Sequence, residues 1–502
     1  MVSLTDLHAV VRSTLASGRI GQPVFVRYHL NGPLATAAAA VGEWFGQPPQ
    51  RSSETLSSGA DGVEQAAVAL QFGNGASALL SMVSGQPHGA GIDLTILGTR
   101  GALYHCGAGA DPCWEDAAPA PAASAKRQAT YGVLLISGAQ THQELYAPAF
   151  AADPRCRLVA VTDEADVDPR RRALNERFAG SLGLPYVPDL GEALTWPDIH
   201  IASVCAPPER RGRIAVRCAA AGKHLYLDKS LAPTLAEAEA VVDAVRRAGV
   251  RSQMFTFVTA PWARRAQRLL QARRCGQLLA VHADTFFAKG HGGTARLEPR
   301  REEYPPARHQ LTEAKRELDN VGVYPVTLVR WLTGQAFHSV FGVTGNYFFA
   351  EHQRNNVEDF GLLAGRLEDG TVVTIACGRC GWTSHPAGGV NRVVLVGSEH
   401  TLIVSANQPR LEVSAAEEPW APPPAHPEDP MAFWACTQDE VGARPKRAWL
   451  PVEPAGPGDV SCFLDALDAG RDGEVNAAEA ARATAVLLAG YRSAATGLVI
   501  SP

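Results

Sequence analysis

Long apolar runs and basic blocks are missing from this 502-residue chain, and cysteines are sparse. No stretch of about 18 apolar residues occurs, so the sequence predicts no membrane-spanning helix. The net charge of −5 argues against nucleic acid or an anionic membrane as the main partner. Ten cysteines are too few for a disulfide-held scaffold, and the first residues lack a secretory signal pattern. We therefore expect a cytoplasmic protein.

The composition that remains is typical of globular domains. Hydrophobic residues make up 46% of the chain and charged residues 19%, which excludes wholesale disorder. At roughly 150 residues per domain, the length allows two to four domains.

The hydrophobic pattern changes three times along the chain and divides it into four segments. Residues 1–106 alternate apolar runs with turns, including a hairpin turn at Gly75. Residues 107–130 are rich in Ala, Pro and Gly, which predicts a linker. Residues 131–255 alternate short apolar runs with helical patterns, which indicates βαβ units and a parallel sheet. Residues 256–502 carry longer strand-like runs and a helical tail.

An internal repeat connects the first segment with the last. Three matches occur in the same order: 17–32 with 273–290, 63–80 with 357–375, and 94–105 with 393–404. Chance matches of this quality occur in α/β chains, but their shared order favours a duplication in which the first copy is truncated.

Two motifs carry a resemblance to a known family. AGKHLYLDKSLAPTLAEAEAVV at 221–242 and ELDNVGVYPVTLVRWLTG at 317–334 resemble the Gfo/Idh/MocA oxidoreductases, which include glucose–fructose oxidoreductase and inositol dehydrogenase. The resemblance covers about 131–502. It implies a Rossmann-like dinucleotide-binding domain followed by an open, mostly antiparallel sheet domain, so the fold class is α/β and α+β. Residues 1–106 then resemble a second, partial sheet domain.

The nucleotide loop is a degraded form of the family's glycine fingerprint. Gly138 takes the first glycine position, while Gln140 and Gln143 take the second and third. A side chain at the second position is expected to push the pyrophosphate outward. Together with Gln140, Thr141 and His142 complete the loop expected to bind the cofactor. The alternative is a strand–helix turn that no longer binds a dinucleotide.

Other positions are matched to the cofactor. Asp163 ends the second strand, where a carboxylate binds the ribose 2′-OH and favours NAD over NADP. By resemblance, Ala206, Pro207 and Asp228 also belong to this site. Arg211 stands where the family has histidine, and it is expected to contact an anion or to be solvated.

Lys229 takes the place of the family's catalytic lysine. An ammonium beside the reacting carbon can polarise its oxygen and relay a proton. The family's following proline is Ser230 here, so the sequence predicts a trans peptide after Lys229.

The second motif supplies the remaining catalytic candidates. Asn320 takes the position of the family's catalytic Asp, where it is expected to orient the substrate, and Tyr324 that of its His or Tyr, where it is expected to donate or relay the proton. Four-residue spacing places both on one helical face, whereas Asp319 is expected to point about 100° away. Tyr324 is alternatively a packing residue. Histidines 291, 309 and 385 lie in loops without a spacing argument. Cys377 and Cys380 lack a second pair, so no metal site is predicted.

The resemblance implies an NAD(P)-dependent oxidoreductase acting on a sugar, cyclitol or related polyol or ketone by hydride transfer. NAD-assisted lyase or glycosidase chemistry and a catalytically degenerate scaffold or partner subunit stay open as alternatives. The first copy lacks catalytic residues, so we expect residues 1–106 to pack against the second sheet as an intramolecular pseudo-dimer. A homo-oligomer formed through sheet faces is the alternative.

Overall fold

The structure is a computed structural model that describes most of the chain. The described residues are 4–18, 20–30, 34–58, 64–83, 93–99, 101–106, 131–273, 275–288, 295–309, 314–380, 389–399, 401–405, 410–412, 426–430, 434–441, 449–451 and 458–502. The predicted linker 107–130, His291 and His385 lie outside them.

The first segment forms a six-stranded sheet with two helices. Its elements are α1 (Leu4–Ala16), β1 (Pro23–Leu30), α2 (Leu34–Phe45), β2 (Pro49–Ser58), β3 (Glu64–Phe72), β4 (Ser77–Val83), β5 (Asp93–Gly98) and β6 (Ala102–Cys106). The order is β2-β3-β4-β1-β5-β6, with only the central β1–β4 pair parallel. The predicted hairpin is confirmed, and Gly75 lies in its turn with φ +87°.

The second segment is a parallel sheet with helices on both faces, as predicted. Its elements are β7 (Tyr131–Ile136), α3 (Gln143–Ala152), β8 (Cys156–Thr162), α4 (Pro169–Ser181), β9 (Tyr186–Val187), α5 (Leu190–Leu194), β10 (Ile201–Val204), α6 (Pro208–Ala220), β11 (His224–Leu227), α7 (Leu235–Ala248) and β12 (Ser252–Met254). Read from β9, the order is β9-β8-β7-β10-β11-β12, and all pairs are parallel. The connections therefore reverse direction between β7 and β10, where ligands bind in such sheets.

The third segment forms another six-stranded sheet with flanking helices. Its elements are α8 (Pro261–Gln271), β13 (Leu278–Ala288), α9 (Glu317–Asn320), α10 (Val323–Thr333), β14 (Phe337–Gly345), α11 (Ala350–Arg354), β15 (Phe360–Leu367), β16 (Val372–Cys380), β17 (Asn391–Gly397), β18 (Thr401–Ser405), β19 (Arg410–Glu412), α12 (Ala435–Glu440), β20 (Trp449–Pro451), α13 (Asp459–Asp468) and α14 (Ala477–Thr496). The sheet order is β14-β15-β16-β13-β17-β18, again with one parallel pair, β13–β16. β19 and β20 pair separately, and α14 is the predicted helical tail.

The helix predicted as continuous over 317–334 is interrupted. α9 ends at Asn320 and α10 begins at Val323. A Cβ at Gly322 would lie 2.3 Å from the Leu318 carbonyl oxygen, so this close turn requires glycine. The break changes the relative direction of the side chains on its two sides.

The two six-stranded sheets pack face to face. Side chains alternate along β1, so Val26 and Tyr28 pack with α1 and α2 while Phe25 and Arg27 face the third segment. The Phe25 ring centroid lies 5.1 Å from that of Phe360. The other face of the third-segment sheet packs against its helices, and these in turn adjoin the parallel-sheet domain. In the part of the chain that the structure describes, no helix has the length and apolar character needed to cross a bilayer.

Candidate active site

A narrow cleft, with a cavity volume of about 20 Å³, opens where the carboxyl ends of β7, β10 and β11 meet α9. The parallel-sheet domain supplies one side, and α9 with its preceding loop supplies the other. The side chains that line it are those of Gln140, Thr141, His142, Cys205, Pro208, Arg211, Asp228, Lys229, Ser230, His309, Lys315, Asp319, Asn320 and Trp434.

Lys229 lies in this cleft at the end of β11. Its Nζ donates to the Asn320 carbonyl oxygen at 2.6 Å and also to the Asn320 side-chain oxygen. Burial lowers the pKa of Lys229 to about 8. The Lys229–Ser230 peptide is cis, so the prediction of a trans peptide is wrong. The Ser230 carbonyl accepts from Arg211, and the Ser230 hydroxyl donates to Asp319. Contacts with distant residues therefore hold this segment, which lacks the family's proline.

Asn320 is held in a defined orientation beside Lys229. Its Nδ2 donates to Glu317 at 2.7 Å, and Glu317 accepts from Arg379 Nε at 2.9 Å. Burial alone raises the pKa of Glu317, but Arg379 and His352 hold it below its usual range. The ionised Glu317 accepts from the amide nitrogen, which leaves the Asn320 oxygen to face Lys229.

Tyr324 and Asn320 both lie beside Lys229, because Asn320 accepts from its Nζ and the Tyr324 ring centroid lies 5.2 Å from the same atom. The break before α10 directs the Tyr324 ring into an aromatic cluster, where it stacks on Phe257 at 4.1 Å between centroids and 7° between planes. Tyr324 does not line the cleft. The Lys229 ammonium lies over the face of the Tyr324 ring.

Asp319 lines the cleft, so the expectation that it points away is wrong. It accepts from the Ser230 hydroxyl and lies 3.6 Å from His309 Nδ1. The short length of α9 allows neighbouring side chains to reach the same cavity. The sequence shows His309 as a histidine in a loop, and no residue spacing connects it with Asp319.

The nucleotide loop is closely packed around Gly138. A Cβ there would lie 2.8 Å from Phe178 Cβ, which accounts for the single retained glycine. At the third position, Gln143 is fully buried and donates to the Ser203 carbonyl at 2.7 Å. This glutamine therefore replaces close backbone packing with an internal hydrogen bond.

Gln140, at the second glycine position, has a left-handed backbone with φ +57°. Its N–H donates to the Glu144 carboxylate at 2.7 Å. Glu144 also accepts from the Cys436 N–H at 3.3 Å, and the Trp434 ring lies 5.6 Å from that of His142. Residues 434–441 thus lie against the nucleotide loop.

The remaining predicted cofactor residues fall into two groups. Ala206 and Pro207 precede α6 beside the cleft, but Cys205 and Pro208 are the ones that line it. Asp163 is fully buried and does not line the cleft. Its carboxylate accepts from Ser137, Asn175 and Arg210, the last at 2.6 Å.

Asp228 lines the cleft and forms a buried polar cluster. It accepts from Tyr146 at 2.9 Å and Arg211 at 3.1 Å, and His142 Nδ1 lies 2.9 Å away. Burial opposes ionisation, but His142 and Arg211 hold the pKa of Asp228 well below its usual range. Arg211 is therefore not solvated, because it is 2% exposed and joins Asp228 to Ser230.

The loop's donor set fits a dinucleotide diphosphate. The Gln140 N–H, beside the N-terminus of α3, already binds one anionic oxygen, that of Glu144. A diphosphate would take the place of this carboxylate. Among the described residues, no group of three or more potential ligands is arranged for a metal ion. Cys377 and Cys380 lie buried in β16, and burial raises the pKa of the Cys377 thiol.

Two family models match the chain in agreement with this architecture. One, described as the oxidoreductase family with an NAD-binding Rossmann fold, matches residues 133–256. The other, the GFO/IDH/MocA C-terminal domain, matches residues 263–403. The chain belongs to the Gfo/Idh/MocA oxidoreductase family. Its parallel-sheet domain is therefore the family's NAD-binding Rossmann domain, and the predicted fold class is confirmed.

Solved structures of this family share the fold at low sequence identity. GenD2 from gentamicin A biosynthesis, in complex with NAD, is 20% identical with a TM-score of 0.55 and covers 76% of this chain and 98% of its own. Myo-inositol 2-dehydrogenase from Lactobacillus plantarum is 14% identical with a TM-score of 0.54 and covers 74% and 99%. About a quarter of this chain thus lies outside each similarity.

A shorter similarity exists to levoglucosan dehydrogenase from Pseudarthrobacter phenanthrenivorans. The two are 31% identical over 85 residues, which is 17% of this chain and 22% of that enzyme. The match therefore spans less than a quarter of the relative's length.

Proposed function

We propose that this protein is an NAD-dependent oxidoreductase that transfers hydride to or from a sugar, cyclitol or related polyol or ketone. NADP is the less favoured cofactor. Residues 229 and 320 contribute to the site from two different domains. The observation that carries the proposal is a buried lysine, Lys229, in the cleft at the switch point of a Rossmann sheet. Sugar and cyclitol dehydrogenases among the similar proteins support this substrate class.

Each predicted residue has a role in this proposal. Bound NAD supplies the hydride acceptor. Lys229 donates a hydrogen bond to the substrate oxygen and stabilises charge that develops there. Asn320 positions the Lys229 ammonium, and the Tyr324 ring stabilises it by a cation–π contact. Gln140, Thr141 and His142 face the diphosphate side of the cofactor.

The other cofactor residues act around this cradle. Gly138 shapes the loop, Ala206 and Pro207 border the nicotinamide side, and Asp228 orients His142. Asp163, which is fully buried, would hold the ribose if it exchanged one of its present partners for a hydroxyl.

NADH binding followed by a lysine substitution tests the proposal. We expect the wild-type protein to bind NADH, seen as a ligand-dependent rise in Tm, and to reduce NAD+ with at least one of myo-inositol, scyllo-inositol, levoglucosan or D-glucose. Lys229→Ala should lower kcat by about 10²- to 10³-fold while the Kd for NADH changes less than about twofold. Retained turnover in Lys229→Ala would reject this role of the lysine.

A catalytically degenerate scaffold is the second candidate function. The Glu144 carboxylate on the loop amide and the amide at Asn320 favour it. Absence of binding at millimolar NAD(H) and NADP(H) would support the scaffold and defeat hydride transfer and NAD-assisted lyase or glycosidase chemistry alike. Conversion of substrate without net NADH formation would indicate the NAD-assisted chemistry.

We also propose that residues 1–106 are a partial duplicate of the sheet domain and form a pseudo-dimer with it. Both sheets have the same strand order and the same single parallel pair. A bulge occurs at matching places, between Pro23 and Phe25 in β1 and between Leu278 and Ala280 in β13. Chance similarity does not readily reproduce such a local irregularity.

Contacts between the two central strands support a pseudo-two-fold relation. Arg27 Nε lies 2.5 Å from Asp284 Oδ1, and the rings of His29 and His282 lie 5.6 Å apart. When Gly21 is aligned with Gly276, Arg27 corresponds to His282 and His29 corresponds to Asp284. Exchanging the two copies therefore converts the Arg27–Asp284 contact into the His282–His29 contact. The same exchange relates the contacts across a two-fold homodimer interface. We expect the full chain to sediment as a monomer, and a cytoplasmic location stays a prediction from sequence.

A further inference from the structure

A buried imidazole, that of His309, lines the cleft, and no close hydrogen bond occupies its ring nitrogens among the described residues. His309 is 5% exposed, and neither Nδ1 nor Nε2 has a hydrogen-bond partner among the described residues. Its position is fixed by the backbone, because its carbonyl accepts from the Arg316 N–H at 3.1 Å and Arg316 Nε donates to the Ala307 carbonyl at 2.6 Å. Buried polar groups are normally hydrogen-bonded, so an imidazole whose Nε2 has no partner among the described residues is suited to a ligand in the cleft.

A carboxylate lies beside this imidazole and connects it with the lysine. Asp319 Oδ2 is 3.6 Å from His309 Nδ1 and also accepts from the Ser230 hydroxyl. Ser230 directly follows Lys229. Although burial disfavours the charged form, His309 and Ser230 hold the pKa of Asp319 below its usual range, so it is ionised near neutral pH.

We propose that His309 is the acid–base residue of the reaction, with Asp319 as the carboxylate that orients it, in place of Tyr324. This inference rests on the proposed function. Tyr324 is poorly placed for the task because its ring is stacked on Phe257 outside the cleft lining. His309 and Asp319 line the cleft together with Lys229.

In the oxidation direction the step is balanced with NAD+ as the oxidant. The substrate O–H bond breaks and its proton moves to Nε2 of neutral His309. The C–H electron pair leaves as hydride, the carbonyl forms, and Lys229 donates a hydrogen bond to the oxygen. The Asp319 carboxylate stabilises the imidazolium until its proton passes to solvent. Reduction of a ketone runs through the same groups in reverse.

The charges around the ring agree with an acid–base role near neutral pH. Burial and Arg316 lower the pKa of His309, but Asp319 and Glu209 outweigh them and raise it above its ordinary value. Two lysines, Lys229 and Lys315, line the same cleft. Oxidation requires neutral His309, so its rate should fall as pH drops through that raised pKa.

Kinetics of His309→Gln test the inference with whichever of the four probe substrates the wild type oxidises. We expect kcat for oxidation to fall about 10²-fold or more, the acidic limb of the pH profile to disappear, and the Kd for NADH to stay within about twofold. His338→Gln, an exposed histidine on β14 outside the cleft, is the matched control and should behave as wild type. Loss of the acidic limb in Tyr324→Phe but not in His309→Gln would overturn the assignment.

A second readout does not depend on turnover. Titration of the histidine Cε1 protons by NMR should show one resonance, absent in His309→Gln, whose pKa lies above that of an ordinary histidine and falls in Asp319→Asn. An unshifted resonance in a folded Asp319→Asn protein would overturn the pairing. If the wild type binds NADH and oxidises a polyol but His309→Gln keeps its rate and limb, only this inference fails. If the wild type binds no dinucleotide, the proposed function fails, whatever the titration shows.

Discussion

The first and third segments of this chain have the same sheet topology but different surroundings. In each, a helical stretch joins the central strand to the first edge strand. In the third segment that stretch begins with α9, whose Asp319 and Asn320 line the cleft while Glu317 accepts from Asn320. In the first segment it is α2, whose sequence LATAAAAVGEWF contains no lysine, aspartate, histidine or tyrosine.

The difference shows that the sheet itself does not make a site. The cleft needs a Rossmann domain, which supplies Lys229, and a helix that presents polar side chains to it. Among the described residues, none of the first segment lines the cleft. The inner face of the first sheet, with Phe25 and Arg27, instead covers the corresponding face of the third segment. One architecture thus serves chemistry in one copy and, in our proposal, packing in the other.

The largest expected effect is on the free energy of unfolding, and it comes from a substitution that breaks the contact between the two sheets. Arg27→Met leaves Asp284 buried without its partner and should lower the free energy of unfolding by about 3–5 kcal/mol, measured by urea denaturation. Turnover per folded molecule should change less than about twofold, because Arg27 lies outside the cleft. Arg27→Met combined with Asp284→Leu removes both charges and should recover most of the loss. An unchanged stability in the single variant would contradict the role of this interface.

A smaller effect concerns the polar helix that the first copy lacks. Protonated Lys229 is the active form, so turnover should be lost as pH rises through its pKa of about 8. Asn320→Asp places a negative charge beside the ammonium, favours the charged form, and should move this alkaline limb upward by about one pH unit. Asn320→Ala removes the amide without adding a charge. A similar upward shift in that control would mean that the limb does not report Lys229.

The smallest expected effect concerns the nucleotide loop, which also has no counterpart in the first copy. Glu144→Gln removes the negative charge that competes for the Gln140 N–H, so the Kd for NADH should decrease by about three- to tenfold. Calorimetric titration measures this change. Glu192→Gln, on the short helix α5, is a control that should leave Kd unaltered. Weaker NADH binding in Glu144→Gln would show that this carboxylate supports the loop rather than competing with the cofactor.

Much of the fold could be predicted from residue patterns because those patterns are local. Short apolar runs such as VLLI before a helical stretch indicate parallel strands, and the turn around Gly75 indicates a hairpin. The position of Lys229 at a strand end followed from a motif of adjacent residues. The direction of the side chains around α9 could not be predicted in this way. It depends on the interruption at Gly322, which lies close to the Leu318 backbone carbonyl one turn earlier.

Sequence by itself determined the Rossmann and sheet domains, the repeated strand pattern and the placement of Lys229 and Asn320 near one another. Only the tertiary structure decided that Tyr324 packs among aromatic rings, that Asp163 is engaged by Arg210, and that His309 meets Asp319. The physical reason is that hydrophobic periodicity is set by neighbouring residues. Burial, charge pairing and hydrogen bonding between residues far apart in the chain are set by packing, and no local pattern encodes them.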